Sequence, residues 1–191
     1  IFRLINHRVN IIIAGDDITF PNNIDVRYSG FNYSNYAKEL IKSKYINKIF
    51  VENLDTALPK TYPIPLGVNP VECSIDLKSF KRYFNINKKK PLKITNFNKV
   101  RSGTGQWQER GDVLELCNTV WKNHCIEHTN TSHHLFLKEI GKYLFTICVH
   151  GGGLDVNPKL WEALIIGVIP IIRENKPYTN IYRRHDLPVV I

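Results

Sequence analysis

The chain has 191 residues, 43% of them apolar, and a formal net charge of +9. That length accommodates one large α/β domain or two modest ones, each able to bury a core. A membrane span is excluded for the longest apolar run, residues 163–172. Gly167 and Pro170 interrupt it, and it is far short of the roughly 20 residues a span requires.

Basicity admits nucleic acid, acidic membrane surfaces or phosphorylated ligands as partners. Part of the excess is concentrated at Lys78, Lys81, Arg82 and Lys88 to Lys90, which reads as a solvated connector. No recognition motif for nucleic acid accompanies it, so no nucleic-acid partner is expected. No signal-peptide pattern opens the chain. A sequence that starts at Ile1 and has no methionine is expected to be a fragment, with an incomplete first domain.

In chain order, residues 9–14 (Val-Asn-Ile-Ile-Ile-Ala) predict a buried strand that stops at Gly15-Asp16-Asp17. Helical spacing covers residues 36–43. Residues 48–51 predict a second strand, ending at Glu52-Asn53, and residues 61–65 a third, followed by a turn-rich stop at residues 66–70. Strands and helices with polar ends describe an open α/β sheet. Residues 71–90 change to charged composition, with a short helix over 77–84. The expected division is 1–72 as a first Rossmann-like domain, 73–90 as a basic connector and 91–191 as a second domain.

The second domain opens with a strand over 92–97 and a glycine-containing loop over 98–106. Helices are predicted over 108–123 and 132–143, a strand over 144–149, and a helix over 158–166 with Gly167 as its C-terminal cap. Residues 168–172 and 187–191 predict two further buried strands. The four cysteines, Cys73, Cys117, Cys125 and Cys148, form no CxxC pair. Cys117 and Cys148 read as buried small apolar groups, so no disulfide is expected and a reducing compartment, such as the cytoplasm, is. The run His124-Cys125-x-x-His128, His133-His134 lacks zinc-finger spacing, and no metal site is expected.

The most informative segment is a strand, a glycine turn and a helix: Phe145-Thr-Ile-Cys-Val-His150-Gly151-Gly152-Gly153, then Asn157-Pro158. Asn is a favoured N-cap and Pro a favoured first helical residue. Glycines let a ligand approach the backbone, while a helix start with Lys159 in its first turn favours an anion. Glu162 lies one turn further, on a mostly apolar helix. Two readings are open for it, an exposed surface carboxylate or a buried one held by ligand hydroxyls.

The run His150-Gly-Gly-Gly-Leu-Asp-Val-Asn-Pro-Lys-Leu-Trp-Glu-Ala-Leu-Ile-Ile-Gly-Val-Ile-Pro-Ile-Ile172 resembles the signature of exostosin-like glycosyltransferases, of a bacterial or viral kind. The close match covers about 45 residues, through Asp186-Leu-Pro-Val-Val190. Weaker resemblances follow in the same order along the chain, at residues 14–17, 50–53, 63–67 and 109–110. The resemblance implies a GT-B architecture of two Rossmann-like domains, acceptor side first and nucleotide-sugar side second. It implies transfer of a sugar from a nucleotide-sugar donor to a glycan or protein-linked acceptor, with no cofactor required.

By the same resemblance, Arg110, His150, Gly151, Gly152, Gly153, Asp155, Lys159 and Glu162 would contact the donor. Asp17 or Asp16 would serve as general base, or would simply form the turn after the strand. Family members often carry Asp-Thr-His-Arg before the Trp. Here the run is Asp155-Val-Asn-Pro-Lys159, and Lys supplies a point charge rather than a bidentate fork. The alternatives from other classes are a nucleotide- or sugar-binding module without catalysis and, behind it, a basic nucleic-acid-binding domain.

Overall fold

The computed structural model describes residues 6–24, 30, 33–68, 89–99, 108–127, 132–176 and 178–191. The helix expected over 77–84 and most of the basic connector lie outside these residues. The protein is mixed α/β, with two parallel sheets and flanking helices, compatible with Rossmann-like folding. The chain forms two compact units. The first comprises residues 1–66, 152–155 and 175–180; the second comprises 67–151, 156–174 and 181–191. One boundary between the units falls at Leu66/Gly67, and Gly67 takes a positive φ of 72°, which glycine adopts without strain.

The first unit holds strand β1 (Val9–Ile13), helix α1 (Ser34–Lys42), strand β2 (Ile46–Val51) and strand β3 (Thr61–Pro63), in the order β1-β2-β3. All pairing is parallel. Ile49 and Ala37 are fully buried, and Phe20, Leu40, Ile46, Val51 and Leu54 complete the cluster between helix and sheet. The fully buried strand expected over 9–14 is instead an edge strand. Its residues alternate, and Ile12 is 69% exposed. An edge strand has a partner on one side only, and α1 covers just one face of this sheet.

The second unit contains strand β4 (Ile94–Asn96), helix α2 (Gln108–Asn118), strand β5 (Cys125–Glu127), helix α3 (His133–Ile140), strand β6 (Phe145–Ile147), helix α4 (Lys159–Ile165) and strand β7 (Ile169–Ile171). Helix α5 (Tyr178–Arg184) places its first three residues in the first unit and the remainder in the second. The order is β5-β4-β6-β7, again parallel. The chain steps from β4 to β5 on one side, then to β6 and β7 on the other. That reversal is a topological switch point, where open α/β sheets bind ligands beyond the strands' carboxyl ends.

Gly167, with a φ of 71°, follows α4 as its expected cap. The helix expected over 108–123 ends at Asn118, because residues 119–125 fold back: Trp121 N donates to Leu116 O and Cys125 N to Trp121 O, both at 2.8 Å. The strand expected over 187–191 reduces to one bridge, Ile171 with Val190. Pro188 has no N–H to extend the ladder.

The expectation of no disulfide is overturned. Cys117, in the last turn of α2, is bonded to Cys125 at the start of β5. The fold-back just described brings their Cα atoms to 5.4 Å, a normal disulfide separation. With it the ground for expecting a reducing compartment disappears. Cys148 does remain a free, fully buried thiol. Among the described residues, no helix is long and apolar enough to cross a membrane.

Two outcomes follow. In the unfolded, unreduced protein, alkylation followed by peptide mapping will leave Cys117 and Cys125 unlabelled, and prior reduction will expose both. Ile49→Ala, at a fully buried position, will lower unfolding free energy by about 2–5 kcal/mol in urea titration.

Candidate functional site

In the second unit, the glycine-rich segment leaves β6 and enters α4. The predicted helix start holds to within one residue: Asn157 Oδ1 accepts the Lys159 N–H at 3.0 Å, and Asn157 Nδ2 donates to Val149 O at 2.7 Å. Pro158 is the N-cap residue, one position later than expected, and the helix proper begins at Lys159. The helix is only seven residues long and spends the Lys159 N–H on Asn157. Its dipole and N–H groups are therefore a smaller anion-binding resource than its sequence implied.

Side chains assemble around that start. His150 and Glu109 are both largely buried, and His150 Nδ1 lies 3.0 Å from Glu109 Oε2. Burial pushes the Glu109 carboxyl up, but the hydrogen bond and charge of His150, with the charge of Arg173, outweigh it and hold it below the usual range. An ionised carboxylate only accepts, so His150 Nδ1 carries the proton. Glu109 had no role assigned from sequence. A carboxylate 41 positions from His150 leaves no local signal.

Arg110 is the next residue on α2. Its Nη1 donates to Lys99 O at 2.8 Å. A Cβ placed on Gly151 would lie 3.9 Å from Arg110 Nη2 and 3.8 Å from Asn157 Cβ. The Arg110 fork therefore borders the turn at Gly151.

Lys159 differs from its expected role. Its ammonium donates to Phe97 O at 2.9 Å and Asn98 Oδ1 at 2.7 Å, just beyond the carboxyl end of β4, and stands 5.6 Å from the Phe136 ring centroid. It ties down the loop after β4. Its pKa is lowered to about 8, chiefly by burial; Arg110 acts in the same direction, while Cys148 and Glu162 oppose. Glu162 is 5% exposed, so the surface-carboxylate reading is set aside. Burial pushes the Cys148 thiol up to about 12.

Gly152, Gly153 and Asp155 belong to the first unit. Asn53, at the end of β2, organises them: its Oδ1 accepts the Leu154 N–H at 2.8 Å and its Nδ2 donates to Asp16 O at 2.6 Å. A Cβ on Gly153 would collide with Asn53 Oδ1 and lie 2.8 Å from its Cγ. Only glycine fits there. Asp155 is 3% exposed and accepts the Leu66 N–H at 2.6 Å, which gives its carboxylate a structural task rather than the expected ligand contact.

The two aspartates offered as general base lie after β1. Asp16 is exposed and its Oδ1 accepts the Ile18 N–H at 3.4 Å, the turn-forming role. Asp17 is half-buried. Neighbouring Glu52, read only as the end of a strand, is 8% exposed, and its Oε2 accepts the Gly15 N–H at 2.6 Å. Tyr178 donates to Glu52 O and accepts the Leu54 N–H. Burial pushes the Tyr178 phenol up, with the charges of Asp155, Glu52 and Asp55 adding to that. Among the described residues, no group of three or more His, Cys, Asp or Glu is gathered to hold a metal ion.

Two measurements test this geometry. Gly153→Ala will destabilise the protein by about 1–3 kcal/mol, and Asn53→Ala in the same chain will recover part of the loss, a non-additivity visible in urea midpoints. Lys159 has a folded pKa below its unfolded value, so the unfolded chain binds more protons between about pH 8 and 10.5. This group's contribution to stability therefore rises with pH across that window. Relative to Lys159→Met, the wild-type midpoint will increase from pH 7 to pH 9.5.

No protein-family model matches the chain, and no curated protein matches it.

Proposed function

We propose that the second unit binds a nucleotide sugar and that the chain is part of a GT-B glycosyltransferase of the exostosin-like kind. One observation carries most of the weight. At the switch point of a parallel sheet, the Arg110 guanidinium borders the backbone of Gly151, and a buried Glu162 lies on the helix that follows. The cation suits a diphosphate, and the glycine admits close approach. The carboxylate suits hydroxyls of a ribose or sugar.

The transfer would break the bond between the anomeric carbon and a diphosphate oxygen. Negative charge develops on the departing diphosphate, and Arg110 would stabilise it electrostatically. The acceptor hydroxyl attacks the anomeric carbon and loses its proton to a base, for which Asp17 or Asp16 remains our candidate. Neither a metal nor a cofactor is needed for these steps. The acceptor would be a glycan or a protein-linked sugar.

Lys159 gives the second reading, a binding module without transfer, a specific basis. Its ammonium is engaged by Phe97 O and Asn98, so Arg110 carries more of the phosphate interaction than the motif implied.

Nucleoside diphosphates (UDP, GDP, ADP, CDP) titrated against the full chain in a thermal-unfolding assay will raise the melting temperature for at least one base. Arg110→Ala will weaken that nucleotide by about 10- to 100-fold, the loss of a charge-assisted contact. No stabilisation by any of the four overturns the proposal. Binding without sugar transfer or hydrolysis selects the second reading.

A further inference from the structure

A separate cavity of about 570 Å³ lies in the first unit, at the carboxyl ends of β1 and β2. Its size falls within the range of small-molecule sites, which are mainly apolar with a few placed polar groups. Ile13, Ala14, Ile18, Leu40 and Val51 supply aliphatic wall, and Phe20, Tyr33 and Tyr36 supply aromatic rings.

Its described charged groups share one sign. Asp16 and Glu52 are carboxylates, and among the described residues no Lys, Arg or His side chain lines the cavity, although the chain carries a net charge of +9. Asn53 has both ends of its amide occupied, by Leu154 N and Asp16 O. The Thr19 hydroxyl donates to Asp55 at 2.8 Å. Glu52 is 8% exposed; its Oε2 takes the Gly15 N–H, and among the described residues its Oε1 accepts no hydrogen bond. The carboxylates offer acceptors and negative charge, and an ionised carboxylate offers no proton.

A complementary ligand must therefore donate and be positive. A buried carboxylate is stable only with a compensating charge or hydrogen bonds, and aromatic faces attract cations. A phosphate or carboxylate ligand is repelled. A neutral polyol satisfies the acceptors, as an acceptor hydroxyl at Asp16 would in the proposed transfer, but leaves the charge of the buried Glu52 unmatched. We propose that this cavity binds a small organic ammonium ion, with its N–H groups on Glu52 and its apolar portion against Phe20, Tyr33 and Tyr36. The site is distinct from the Arg110–Gly151 anion site, and the two have opposite charge preference. Its test needs no sugar transfer, so it stands or falls independently of the donor-binding reading.

The test uses benzylammonium and its neutral counterpart benzyl alcohol as probes, titrated into the full chain by calorimetry at low ionic strength. Benzylammonium is expected to bind at least about tenfold more tightly than the alcohol, the margin of a charge-assisted hydrogen bond. Glu52→Gln, which retains an oxygen for the Gly15 N–H, is expected to remove that preference. Tyr36→Ala, at a side chain 61% exposed and so safe for folding, is expected to weaken benzylammonium about two- to fivefold by loss of a ring contact. Its failure to do so counts against the site even where Glu52→Gln does not fold. Equal affinity for the two probes, or no benzylammonium binding at millimolar concentration, overturns the proposal.

Discussion

The first unit depends on one amide, that of Asn53. Its side chain donates to the carbonyl of Asp16 and accepts the N–H of Leu154, so three segments distant in sequence meet on two hydrogen bonds. A buried amide with one end unmatched would cost about 1–3 kcal/mol, and here both ends are used. The same residue explains a sequence feature. Gly153 lies so close to Asn53 that a methyl group has no room. One of the three glycines is therefore required by protein packing. It is not evidence for a ligand, although a glycine-rich turn invites that reading.

The division of labour in the turn extends this point. Gly151 faces Arg110 in the second unit; Gly153 faces Asn53 in the first. Asp155 and Lys159, the two charged residues most suggestive of phosphate and sugar contacts, turn their charges to backbone groups at Leu66 and Phe97. The arginine bordering Gly151 and the buried Glu162 remain as the stronger elements of the proposed donor site. The motif therefore mixes scaffold and ligand chemistry, and residue type alone does not separate them.

What was legible in the sequence was periodic. Apolar runs marked every described parallel strand except β5, whose short Cys-Ile-Glu segment carries no such run, and Asn157-Pro158 and Gly167 marked the ends of α4. These are local effects of backbone conformation and burial. What was not legible was long-range. Glu109 meets His150 across 41 positions, and Asn53 meets Leu154 across 101; no local pattern encodes either partner. The Cys117–Cys125 bond escaped for a related reason. A separation of 8 matches no redox or metal spacing, and the pair closes only because the chain reverses after α2. The exposure of Ile12 likewise depends on which strands flank β1, a property of the sheet.

Charge is distributed against the grain of the composition. A chain with a net charge of +9 gathers two carboxylates and, among the described residues, no cation around the cavity after β1 and β2, while Arg110 stands beside Gly151. Net charge governs long-range attraction and is screened within about 10 Å at moderate salt. Within that distance the local set of groups decides what binds. Ligand preference follows from the ends of the strands: acceptors after β1 and β2 in one sheet, and an arginine beside open backbone after β6 in the other.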